Sequence, residues 1–313
     1  MEPPVARPGR RLAAVALGPG LLAGWLLIAP AAHADVVPGG LHTRVNGRAM
    51  GRCSRGVCRV RGGTRAGDTL FLRFRRFNAG DAIRRVVIDT RGQPTLVLGV
   101  TDPRGLRLGV PVVLSRPADV FWLSPGGLRL AAGSRFPNTD DLLLTSSPSL
   151  RLGGRTYQPA TDGQRRVASL VKPPAMELDG LAGQRPVVLA GARLRVDGQL
   201  LLNSGLGPIR SRPVPAAAPP AALKAGGDLR LAGGNLRLHD LQARAGRPGD
   251  GRLLGLETVV DPRPGRGDLG RLQLDRVTLA GGDLLLRAGA ALVARDLQVR
   301  ATDPLAPRTV RLQ

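Results

Sequence analysis

The sequence predicts an all-β solenoid, in which short strands wind into repeated coils. Three observations carry that expectation. Apolar-polar-apolar triplets recur at steps of about twenty residues, Gly and Pro break the chain at similar intervals, and the apolar residues are almost all aliphatic. The 313 residues include 43 Gly and 27 Pro but only 2 Trp, 1 Tyr and 5 Phe, with 42% hydrophobic content. Such a chain is interrupted too often for long helices. It is also too apolar for a disordered tail.

The triplets Leu106-Arg107-Leu108, Leu128-Arg129-Leu130 and Leu150-Arg151-Leu152 begin 22 residues apart, and Leu194-Arg195-Val196 lies 44 beyond the third. Leu236-Arg237-Leu238, Leu254-Gly255-Leu256, Leu272-Gln273-Leu274 and Leu292-Val293-Ala294 follow at steps of 18, 18 and 20. The segments Leu236 to Arg244 and Leu292 to Arg300 share five of nine residues. Period-two alternation turns Leu and Val to one face and Arg to the other. One coil cannot bury its apolar face alone, but a stack of coils can. A narrow stack of Leu and Val ladders leaves little room for aromatic rings.

The chain opens with Arg7, Arg10 and Arg11, then an apolar run from Leu12 to Ile28, then Ala32-His33-Ala34 before Asp35. A basic start, an apolar centre and a small-x-small site are expected of a secretory signal peptide cleaved after Ala34, residues 1–34. Gly18-Pro19-Gly20 breaks the run, and no later stretch approaches the ~18 apolar residues of a membrane span. The product is therefore expected outside the cell or on its surface. In that oxidising setting the two cysteines, Cys53 and Cys58, are expected as a disulfide. A metal site would need more ligands than nearby His42.

The net charge of +23 comes from 46 basic residues, all but Lys172 and Lys224 being arginines. They are spread singly between apolar residues, and the last aromatic is Tyr157, so base-stacking platforms are missing from the second half. That pattern speaks against nucleic acid as a partner and leaves anionic surface polysaccharide as a candidate.

Gly62-Gly63-Thr64-Arg65-Ala66-Gly67-Asp68-Thr69-Leu70-Phe71, followed by Phe74 and Phe77-Asn78, resembles the opening of the filamentous-haemagglutinin-type secretion domain of two-partner secretion exoproteins. Val120-Phe121-Trp122-Leu123-Ser124-Pro125-Gly126-Gly127-Leu128 resembles that family's apolar strand and Asn-Pro-Asn-Gly turn, and Gly133 to Gly154 continues the likeness. Ser124 and Gly126 stand where the family usually has asparagines. The resemblance covers about a third of the chain, residues 57–154. It implies a right-handed parallel β-helix; the exposed first coil of such a stack needs a cap, which the segment before Val57 is placed to supply. The resemblance also implies export through an outer-membrane barrel transporter with periplasmic POTRA domains. Gly62, Gly63, Thr64, Phe71, Phe74, Ser124, Pro125, Gly126, Gly127 and Leu128 are then the candidates for transporter recognition.

Four regions follow: the signal peptide 1–34, a secretion-type β-helix domain 35–170, a Pro-rich linker region with one or two coils 171–222, and short solenoid repeats 223–313. Lys172-Pro173-Pro174 and the run Pro208 to Ala222 read as linkers or as a loop out of the stack. Catalytic, cofactor and metal residues are not expected. After cleavage only His42 and His239 remain, too few for a Ser-His-Asp or zinc site. Asp140 and Asp141, adjacent in a strand, point to opposite faces. Gly265 to Gly270 fits G-x-G-x-x-G but leads into a strand, so it reads as a turn, and the Arg266-Gly267-Asp268 within it is a weak adhesion motif. The expected function is a non-enzymatic exoprotein for adhesion or cell contact. The alternatives are a secreted carbohydrate-active β-helix enzyme and a truncated remnant of a larger adhesin.

Overall fold

The computed structural model describes residues 34–313 apart from 81, 153–154, 171–175, 179–182, 214, 216–217, 248–249, 259–268, 302–309 and 313. The signal segment up to His33, Lys172-Pro173-Pro174 and Arg266-Gly267-Asp268 lie outside the described residues. Nearly every regular element is a strand; among the described residues the one helix is the five-residue Gln164–Ala168.

Three parallel ladders hold most of the strands. The first runs from Thr69–Ala79 through Thr95–Val100, Ala118–Leu123, Thr139–Thr145, Leu200–Asn203, Leu229–Gly233 and Leu253–Thr258 to Asp283–Arg287. The second joins Leu106–Leu108, Leu128–Ala131, Val187–Ala190 and Pro208–Ser211. It then continues into the N-terminal halves of three long strands, Asn235–Ala245, Arg271–Gly281 and Ala291–Ala301. The third contains Gly56–Gly62, Ile83–Ile88 and Val112–Leu114. After a break it resumes with Arg193–Val196 and Ala221–Ala225 and ends in the C-terminal halves of the same long strands.

The period-two pattern places these strands. Leu236, Leu272 and Leu292 align across the second ladder, as do Leu238, Leu274 and Ala294, while Arg237 and Gln273 alternate between them. Leu236, Leu238, Leu272 and Leu274 are buried and join one long hydrophobic cluster with residues of every ladder. At about 25 cal/mol per Å², each such leucine contributes roughly 2 kcal/mol of burial before chain entropy is subtracted.

The N-terminal edge is built differently. Asp35–Pro38 and Thr64–Ala66 pair antiparallel with Thr69–Ala79, and Thr43–Val45 pairs antiparallel with Gly56–Gly62. The Cys53–Cys58 disulfide is formed, with Cα atoms 5.6 Å apart. Cys53 also exchanges two backbone hydrogen bonds with Val36, at 2.9 and 3.0 Å, which fixes the disulfide loop to the first strand.

Three expectations are corrected. Leu106-Arg107-Leu108 pairs residue for residue with Leu128-Arg129-Leu130, but Leu150-Arg151-Leu152 does not continue the series. It leaves for a separate antiparallel sheet with Arg155–Tyr157 and Met176–Leu178, and Val187-Val188-Leu189 takes its place beside Leu128. The reason is packing: Leu150 and Leu152 join Tyr157, Val167 and Leu170 in a second cluster, over the face bearing Phe71, Val97 and Leu143. The C-terminal triplets also do not form one series. Leu236, Leu272 and Leu292 share the second ladder, whereas Leu254 pairs with Leu229 and Leu284 in the first. Finally, the interior does hold aromatics. Phe74, Phe77, Trp122 and Phe136 form an edge-to-face chain with centroid spacings of 4.9, 4.8 and 6.2 Å. The Pro208 to Ala222 run is strand at both ends, Pro208–Ser211 and Ala221–Ala225.

Candidate functional site

The sequence singles out the turn Ser124-Pro125-Gly126-Gly127, and its geometry is that of a closed β-turn. Gly127 N donates to Ser124 O at 2.8 Å. Ser124, fully buried, donates through Oγ to Gly127 O at 2.8 Å and accepts from Leu106 N at 2.8 Å. Pro125 presets φ at the second position of the turn. The serine hydroxyl thereby satisfies a backbone donor of the neighbouring strand, a task an asparagine side chain could also perform.

Sequence reasoning missed the partner of this turn. Asp102-Pro103-Arg104-Gly105 lies 22 residues earlier and closes in the same way, Gly105 N donating to Asp102 O at 2.9 Å. The turns stack, with Leu106 N also donating to Gly127 O at 2.9 Å. Gly105 sits at φ +76°, and a Cβ there would collide with the Gly127 carbonyl oxygen, so glycine is required on both counts. The available signal was the shared x-Pro-x-Gly pattern at the 22-residue step. Ser204-Gly205-Leu206-Gly207 repeats the serine device, Ser204 Oγ donating to Gly207 O at 2.7 Å. Ser124, Ser146 and Ser204 follow one another at the end of the first ladder through backbone bonds to Thr145, Asn203 and Ala232.

An ion chain ties the first turn to the N-terminal edge. Arg76 reaches Asp35 at 2.9 Å and Asp102 at 3.4 Å; Arg52 adds to Asp35 at 3.5 Å and Arg104 to Asp102 at 3.2 Å. Burial works to raise the Asp102 carboxyl, but the hydrogen bonds from Arg104 and the charges of Arg104 and Arg76 outweigh it and hold it below the ordinary carboxylate value.

The other candidates are dispersed. Gly62 and Gly63, at φ +86° and +96°, run beside the His42 carbonyl, and Thr64 Oγ1 donates to Leu41 O at 3.2 Å. Phe74 lies in the long interior cluster next to Phe77, whereas Phe71 lies on the opposite side of its strand, edge-on to Tyr157 at 5.1 Å. Leu128 is buried and its N–H donates to Pro186 O at 3.0 Å. Burial pushes the Tyr157 hydroxyl well above its ordinary value.

Where the third ladder breaks, between Val112–Leu114 and Arg193–Val196, a cleft of about 1030 Å³ opens. Arg135, Arg193, Arg195 and Lys224 supply its cations, Asn138 and Gln242 its amides, and Asp197 is the one carboxylate among its described lining residues. Among the described residues no group of three His, Cys, Asp or Glu could hold a metal ion, and no helix is long and apolar enough to cross a membrane. No family model, curated protein or solved structure matches the chain.

Proposed function

We propose that the chain is a secreted, non-enzymatic exoprotein whose ladders wind as a right-handed parallel β-helix. In this reading residues 1–34 direct export to the periplasm. An outer-membrane barrel with POTRA domains then captures the N-terminal region, and the exported protein serves adhesion or cell contact. The observation that carries the reading is the pair of stacked x-Pro-x-Gly turns, Asp102 to Gly105 and Ser124 to Gly127, in register beside an antiparallel N-terminal edge. The resemblance places its turn motif at the second of these. An antiparallel cover on the first parallel strands protects an edge that would otherwise recruit other chains. A ladder that adds one strand at a time can grow as the chain emerges from a pore.

The test is export in cells carrying the cognate barrel. Replacing Pro125-Gly126-Gly127 with alanines, or deleting residues 57–154, should leave the protein in the periplasm. A substituted protein that keeps its β spectrum but is retained supports recognition at the turn. Normal release of either variant overturns the transporter reading. The enzyme alternative draws no support from the cleft, because glycosidase chemistry uses two carboxyl groups flanking one bond and Asp197 stands alone among the described lining residues.

A further inference from the structure

Some arginines in the molecule find carboxylates. Arg276 grips Asp240 through two hydrogen bonds of 2.6 and 2.9 Å, Arg166 pairs with Asp162 at 3.2 Å, and Asp35 and Asp102 neutralise the N-terminal ion chain. The outward side of the second ladder is distinguished by register. Arg107 lies opposite Arg129, Arg129 opposite Val188, Val188 opposite Arg210, and Arg210 opposite Arg237. Four arginines thus occupy five successive positions of one column. At about 4.8 Å per strand they span roughly 19 Å.

Like charges facing each other across a sheet destabilise it. Burial, and then the charges of Arg212 and Arg107, depress the Arg129 guanidinium below its ordinary value. Among the described residues the four arginines have no hydrogen-bonded or ion-paired carboxylate. Asp275, further along this side, is already engaged with His239 at 3.2 Å and Arg276 at 3.5 Å. A row of cations that costs stability and lacks internal partners is matched by an external anion of the same linear form.

We propose that this column binds a linear anionic polysaccharide, its sulfates or uronate carboxylates lying along the arginines. The planar guanidinium fork suits bidentate contact with either group. Single-stranded nucleic acid is less well matched, because the residues flanking the column, such as Gly109, Ala131 and Ala190, offer no aromatic platform. The inference gives a target chemistry to the attachment proposed above, yet it rests on the sheet register and not on the export route. A protein retained in the periplasm that still binds glycan in vitro would break the export reading alone.

The experiment titrates the purified full-length exported chain with heparin and with polygalacturonate across a salt series. Substituting Arg107→Gln, Arg129→Gln, Arg210→Gln and Arg237→Gln together should weaken binding at least about tenfold and lower the log–log salt slope by about one per arginine removed. A charge-matched control on the third ladder, Arg59→Gln, Arg61→Gln, Arg84→Gln and Arg85→Gln, exposed residues that do not stack on one another, should change affinity less than about threefold. If the quadruple column variant does not fold, Arg210→Gln with Arg237→Gln, both exposed, gives the same comparison at half the slope change. Equal losses in column and control variants would reduce the effect to net charge and overturn the proposal. So would oligo(dT) binding as tightly as heparin and failing with the same variant, which would assign the column to nucleic acid.

Discussion

The two ends of the ladder system solve the same problem with different materials. Up to about residue 136 the interior is filled by Phe74, Phe77, Trp122 and Phe136, the first strand is tied down by Cys53–Cys58, and five charged groups from Arg52 to Arg104 clamp it from outside. From Val187 onward the buried apolar residues are Leu, Ile, Val and Ala. There the long strands bend at Asp240, Arg276 and Asp296, all at φ near +50°, and the Arg276–Asp240 pair spans two of the bends. Toward the C-terminal strands Leu292, Val293 and Val299 are 39–49% exposed. The N-terminal region is thus cross-linked in three independent ways. The C-terminal region depends on repetition, each strand held mainly by the ones before and after it, and its stability should fall off along the chain.

The sharpest way to break that comparison is to remove one core side chain from each region. Phe77→Ala opens a ring-sized cavity between Phe74 and Trp122 and should cost about 3–5 kcal/mol. Leu286→Ala, between Leu256 and the 64% exposed Leu312, should cost about 2 kcal/mol, near the low end for such truncations. The difference in reach matters more than the difference in size. Amide hydrogen exchange should show lost protection throughout the described strands for Phe77→Ala. For Leu286→Ala the loss should be confined to the strands from Leu253 onward. Uniform loss in both would mean one cooperative unit and end the contrast.

A smaller effect is expected at the disulfide. Cys53→Ser with Cys58→Ser releases a short loop, for which chain-entropy arguments give about 2 kcal/mol. The loss should appear first as exchange at Val36 and Cys53, whose mutual hydrogen bonds hold the first strand. Proteolysis within residues 35–56 is the second readout. Unchanged protection there would show that the ion chain and the antiparallel pairing suffice without the covalent link.

Much of this difference was legible in the sequence, and the remainder was hidden for physical reasons. The pairing of Leu106-Arg107-Leu108 with Leu128-Arg129-Leu130 could be read because two equal triplets at one step need only one geometry. Leu150-Arg151-Leu152 has the same alternation, but alternation shows only that a strand has one buried face. It does not say whether that face turns into the ladders or onto their outside, and here Tyr157 and Val167 decide for the outside. The Asp102 to Gly105 turn escaped notice because the expected asparagine is an aspartate, although Pro103 and Gly105 supply the same backbone angles. The bends at Asp240 and Asp296 lie within the matching segments, yet Arg276 between them is not a residue that favours positive φ. Its conformation is held by the carboxylate of Asp240, a contact that exists only once the ladder has formed.

The smallest effect tests whether the external clamp is electrostatic. The Asp102 carboxyl titrates below its ordinary value, so the folded state holds the ionised form more firmly than the unfolded chain does. The resulting stability is fully present above the unfolded value of about 4 and is lost as pH falls through the lower folded value. Asp102→Asn keeps the shape of the turn and a side-chain acceptor but carries no charge. Near neutral pH it should cost less than about 1 kcal/mol, because Arg76 and Arg104 are 42% and 64% exposed and solvent screens them. Its stability should also fall less steeply than that of the parent chain below about pH 4, so the two denaturation curves converge in acid. Parallel curves down to the acid limit would mean that hydrogen bonds to the turn, and not the charge on Asp102, hold the first strand in place.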